Sequence, residues 1–103
     1  MPKVKITVVK RPNLDEIHAD SDLGCTPQMD PVCDRFREGQ EFVTDFSSVP
    51  EGFCTGAYAD IYRFLSGLRF GADYPWVKEP GKVLVCCTDG FRPVVFRLER
   101  IEE

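Results

Sequence analysis

The chain predicts an α+β domain, a small antiparallel sheet with one main helix packed on one face. Three observations carry that prediction. Apolar and polar residues alternate over 3–8, apolar residues recur at helical spacing over about 55–69, and a hairpin pattern surrounds Asp89-Gly90. A length of 103 residues with 43% hydrophobic and 12% aromatic content suits one domain, 1–103, with one core.

Val4, Ile6 and Val8 alternate with Lys3, Lys5 and Thr7, so the first strand covers roughly 3–10 with one buried face. Pro12-Asn13 stops it, and Asn13 with Glu16 forms a capping-box pattern for a short helical turn over 14–19. Residues 20–35 hold acidic, proline and cysteine residues without periodicity and read as a long loop. Gln40 to Asp45 forms a second short strand, with Phe36 and Phe42 directed to the core.

After Pro50-Glu51-Gly52, Thr55 is the expected N-cap of the helix. Ala57, Tyr58, Ile61, Phe64, Leu65 and Leu68 then share one face. Gly67 within that pattern implies a close approach by another backbone, and Gly71 supplies the stop. Trp76 is expected to pack on the core edge.

Strands over 82–88 and 92–101 complete the sheet. Pro93 has no N–H to donate, which favours a four-residue loop, Thr88 to Phe91, over a two-residue one. Either loop sets Val85 opposite Val94 and Cys87 opposite Arg92. Val83, Val85, Val94, Phe96 and Leu98 then form the core face, while Cys86 points the other way with Leu84 and Val95.

Charge narrows the function classes. Thirteen Lys+Arg against seventeen Asp+Glu give a net charge of −4, so no field draws the chain to nucleic acid or an anionic membrane. The longest charge-free run, Gly52–Ala59, is eight residues, against roughly 20 for a spanning helix. No apolar stretch precedes the first strand, so no signal peptide is expected and the expected compartment is the cytoplasm, where thiols stay reduced.

No nucleotide-binding, hydrolase, thioredoxin or haem signature occurs. Asp20-Ser21-Asp22-Leu23-Gly24 begins like a calcium loop, yet Cys25 stands where the turn needs Gly and Pro31 where the terminal Glu belongs. His18 sits in an acidic polar stretch and reads as a solvated histidine. The cysteines, five in all, are the residues that point to chemistry. Cys54 precedes the helix, where the dipole favours a thiolate, and Cys87 is expected to gain thiolate character from Arg92 across the hairpin.

Cys33-x-x-Phe36-x-x-Gly39-Gln40-Glu41-Phe42 is followed by Pro50-Glu51-Gly52-Phe53-Cys54, leading into Ala59-Asp60-Ile61-Tyr62. The chain closes with Cys86-Cys87-Thr88-Asp89-Gly90-Phe91-Arg92-Pro93-Val94-Val95-Phe96. Together these segments resemble a family of small, uncharacterised bacterial and archaeal single-domain proteins, the likeness running from Lys3 to Glu102. The resemblance implies one small domain with cysteines at 33, 54, 86 and 87, and it brings no activity, cofactor or catalytic residue. Asp34 stands where the family pattern has Pro, and Gly56 where it has Trp. Cys25 lies outside the motif and is set aside.

The resulting expectation is a thiol-dependent accessory protein. Cys33, Cys54 and one of Cys86 and Cys87 would either hold zinc, Cu(I) or an iron–sulfur cluster, the choices of soft thiolate ligands, or cycle as thiols. The alternative is a non-catalytic binding or structural module whose cysteines fill the core and whose surface meets a protein partner.

Overall fold

A computed structural model describes residues 2–101. In chain order the elements are β1 (Lys3–Lys10), α1 (Leu14–His18), β2 (Glu41–Thr44), α2 (Thr55–Arg69), β3 (Lys82–Cys86) and β4 (Val95–Ile101). The strands form one sheet in the order β2-β1-β4-β3, every pair antiparallel. With α2 on one face, this is the α+β architecture expected.

Pleating puts Val4, Ile6 and Val8 of β1 on the face that also carries Val83, Val94, Phe96 and Leu98, and all seven are buried. Ala57, Tyr58, Ile61, Leu65 and Leu68 of α2 close over them at three- and four-residue spacing. At one end of this core Phe36, Phe42, Phe53 and Phe96 pack mostly edge to face, with ring centroids 4.9–6.0 Å apart. The Thr44 and Tyr58 hydroxyls satisfy each other at 2.8 Å where β2 meets α2.

At the far end of α2, Arg100 of β4 donates Nη1 to the carbonyls of Leu68 and Ala72 at 3.0 and 2.9 Å. Its Nη2 meets Asp73 Oδ1 at 2.8 Å. A cation is thereby fixed at the helix C-terminus, where both orphan carbonyls and the dipole favour it. The capping box at Asn13 is formed, Asn13 Oδ1 accepting from Asp15 N–H at 2.8 Å and Glu16 Oε1 from Asn13 N–H at 2.7 Å.

Four details differ from expectation. Cys54, not Thr55, is the N-cap of α2, because the turn Pro50 to Phe53, closed by Phe53 N–H to the Pro50 carbonyl at 3.0 Å, delivers an extended Cys54 to the helix start. The β3–β4 register is shifted by two residues, with Val85 opposite Phe96 and Cys86 opposite Val95, so the faces survive but the partners change. Trp76 is 66% exposed and stacks on Tyr74 at 5.1 Å instead of packing on the core edge. Gly67 makes room for the Tyr74 side chain, whose hydroxyl a Cβ there would strike, and not for another backbone.

The register shift accompanies a contact made by α2, distant in sequence. Asp60 Oδ2 on α2 accepts both the Thr88 N–H and the Thr88 hydroxyl at 2.9 Å, drawing the chain away from the sheet directly after Cys87. Asp89 Oδ1 then accepts from the N–H groups of Phe91 and Arg92 at 2.9 and 3.3 Å. Pro93, without an N–H, sits in this longer connection, outside the ladder.

Candidate functional site

An open cleft of about 360 Å³ lies where three chain segments meet. The loop before β2 contributes Cys33, Arg35 and Phe36, the start of α2 contributes Cys54, Gly56, Ala57 and Asp60, and the β3–β4 connection contributes Cys87 to Asp89, Arg92 and Val94.

Cys33 lies in a segment without regular structure, and two arginines hold it. Arg11 Nη1 donates to the Cys33 carbonyl at 2.8 Å while its Nε pairs with Glu38 at 3.1 Å. Arg92 Nη1 donates to the Asp30 and Val32 carbonyls at 2.9 and 3.1 Å. Guanidinium forks suit this task because each presents several donors in fixed geometry to otherwise unpaired carbonyls. The Cys33 side chain is buried beside the phenylalanine cluster.

Cys54 is half-buried at the head of α2, and its side chain makes no capping hydrogen bond. The first turn of the helix contains no acidic residue, and its first backbone bond runs from Tyr58 N–H to the Cys54 carbonyl at 3.0 Å. A thiol here sits against uncapped helix donors.

Cys87 differs from expectation. It pairs with Val94, donating its N–H to the Val94 carbonyl at 3.1 Å while its Sγ accepts the Val94 N–H at 3.3 Å. Arg92 is turned to the 30–32 segment and lies 3.6 Å from Asp89 through Nε, so it gives Cys87 no thiolate character. Burial pushes the Cys87 thiol up, the Asp89 charge and Cys33 add to this, and the Val94 and Asp89 amides only partly offset it.

Of the four cysteines singled out from sequence, Cys33, Cys54 and Cys87 therefore line one cleft. Cys86 is exposed on the opposite face of β3 with Leu84, and Cys25 is exposed outside the cleft. Among the described residues no group of three or more His, Cys, Asp and Glu side chains is arranged to hold a metal ion. His18 is not a free solvated side chain, since its Nε2 contacts the Gly90 carbonyl at 2.5 Å and ties α1 to the β3–β4 connection.

Sequence reasoning missed Arg35, Asp60, Thr88 and Asp89 as parts of the cleft. For Asp60 a signal existed, because residues 56, 57 and 60 share a helix face with the chain entering at Cys54. Arg35 carried none, lying in a segment without periodicity. No helix of the described residues is long and apolar enough to cross a membrane. No family model, curated protein or solved structure matches the chain.

Proposed function

We propose that the domain is a thiol-dependent accessory protein that exchanges disulfides through Cys54. The observation that carries this reading is the convergence of Cys33, Cys54 and Cys87, from three distant segments, on one open cleft. In the first step the Cys54 thiolate attacks a disulfide R–S–S–R, forming Cys54–S–S–R and releasing one thiolate. In the second, Cys33 or Cys87 displaces the other R–S⁻, so two protein thiols become a disulfide as the co-reactant is reduced to two thiols. Thiol exchange is favoured over a zinc, Cu(I) or iron–sulfur site because no side-chain cluster in the described residues is arranged to bind a metal and Cys86 lies on the far sheet face.

The second reading, a binding module with cysteines as packing, is supported by the burial of Cys33 and the raised Cys87 thiol. Treating the reduced protein with a neutral low-molecular-weight disulfide and mapping the products by mass spectrometry separates the two. The exchange reading expects a disulfide between Cys54 and Cys33 or Cys87 that dithiothreitol reverses and that Cys54→Ser abolishes. Cys54 staying unmodified until the protein unfolds would leave packing as the role of all three. Joint protection of Cys33, Cys54 and Cys87 from alkylation by added zinc would favour a metal site instead.

A further inference from the structure

Four charged side chains rim the cleft, and they are not equivalent. The Asp60 carboxylate is engaged by the Thr88 N–H and hydroxyl. Asp89 receives the Phe91 and Arg92 amides through Oδ1, and its Oδ2 lies 3.6 Å from Arg92 Nε. Arg92 gives Nη1 to the Asp30 and Val32 carbonyls. Arg35 is exposed, and among the described residues it makes no hydrogen bond, ion pair or ring contact. Asp89 is thus paired with a cation and Asp60 engaged through one oxygen by neutral donors, keeping its charge, whereas one guanidinium in the lining has no partner among the described residues.

The start of α2 adds donors to the same place. The N–H groups of Thr55, Gly56 and Ala57 precede the first helical bond, no side chain caps them, and Gly56 and Ala57 line the cleft. Gly56 keeps the approach open, since a Cβ there would have Cys54 Sγ, 3.9 Å away, as its nearest neighbour. A free cation, a row of helix donors and a thiol therefore share one opening of about 360 Å³, room for a small molecule.

Building on the exchange reading above, we propose that the cleft selects an anionic co-reactant, a low-molecular-weight thiol or disulfide bearing a carboxylate. Arg35 and the α2 donors hold the carboxylate while the sulfur meets Cys54. The bonds made and broken are those of the disulfide exchange at Cys54, with the carboxylate as a handle that takes no part in them.

The test compares alkylation of Cys54 by iodoacetate and by iodoacetamide in the reduced full chain. The same thiolate attacks both reagents, so their rate ratio reads local charge independently of thiol pKa, and exposed Cys25 and Cys86 serve as references within the same molecule. At low ionic strength the iodoacetate-to-iodoacetamide ratio at Cys54 is expected about tenfold above that at the references, converging on them as salt is raised. Arg35→Ala should remove most of the excess, and Arg35→Glu should take the ratio below the references. A ratio at Cys54 equal to the references, or one unmoved by Arg35→Glu, overturns the proposal. A flat ratio alongside normal disulfide formation sinks the anionic preference and leaves exchange standing. A raised ratio in a protein that never forms the Cys54 disulfide keeps the anion site and removes exchange. Failure of Cys54 to react with either reagent in the folded protein overturns both.

Discussion

Asp60→Ala tests the contact on which both the hairpin register and the cleft depend. The substitution removes two charge-assisted hydrogen bonds, from the Thr88 N–H and hydroxyl, each 2.9 Å long. Both are exposed to solvent, so together they should contribute about 1–2 kcal/mol, less than two buried bonds to a charged acceptor would. Alanine returns roughly 0.5 kcal/mol as the better helix former at this position within α2. The net loss is about 1 kcal/mol, which in urea denaturation moves the midpoint by roughly 0.7 M for a domain of this size. An amide in place of the carboxylate would retain one acceptor oxygen, so Asp60→Asn should fall between. A double-mutant cycle with Thr88→Val, which deletes only the hydroxyl bond, should return a coupling of about 0.5–1 kcal/mol. The local consequence is distinctive, because releasing Thr88 uncovers Cys87, whose alkylation should speed several-fold while that of exposed Cys86 does not change. An unchanged midpoint with unchanged Cys87 reactivity would show that Arg92 and the His18–Gly90 contact hold the connection without Asp60.

Two further outcomes are expected. Gly67→Ala should destabilise by about 1 kcal/mol despite alanine's better helix propensity, because the new methyl displaces Tyr74 from its 3.3 Å bond to the Phe64 carbonyl; in a Tyr74→Ala background the same change should stabilise, and denaturation midpoints of the four proteins check the reversal. Acid should weaken the fold through Asp73, held below the usual carboxylate range by Arg100, and Glu99, held down by Arg97 with Lys5 and Lys82. Folded values below the unfolded ones mean that this stability is present above the ordinary carboxylate range and is lost as pH falls through the depressed values. Urea midpoints measured from neutral pH downward should therefore drop less in Arg100→Met, which lacks the Asp73 contribution, than in the parent.

The elements were legible because local patterns specify them. Alternation over β1 and the spacing of Tyr58, Ile61, Leu65 and Leu68 leave one way to bury each apolar face, and even the faces of the hairpin followed from parity alone. Register did not, because it depends on Asp60 reaching Thr88 across 28 residues, a side-chain contact invisible to any short window. The same non-locality hid half of the cleft. Cys54 stood out through its helix, but Cys33 is positioned by Arg11 and Arg92 from separate parts of the chain, and Arg35 has no pattern around it. Cys87 departs from expectation for a related reason: a two-residue shift replaced the cation expected opposite it with Val94 and burial. Trp76 escaped the core because Tyr74, two residues earlier, occupies the space that Gly67 vacates.

The sheet order carries a consequence for assembly. β1 and β4, the first and last of these four strands in sequence order, are the central pair, joined from Lys3 opposite Ile101 through Lys10 opposite Val95. During synthesis β1 can pair with β2 along one edge, but its other edge stays unmatched until the residues of β4 are made. The β3–β4 hairpin is local and can meet α2, but the core face is complete only when β4 reaches β1. Closing so long a loop costs entropy that the shorter-range pairings do not, so the central β1–β4 pair is expected to form late. A newly made chain is consequently at its most vulnerable to mispairing just before the residues of β4 become free to reach it.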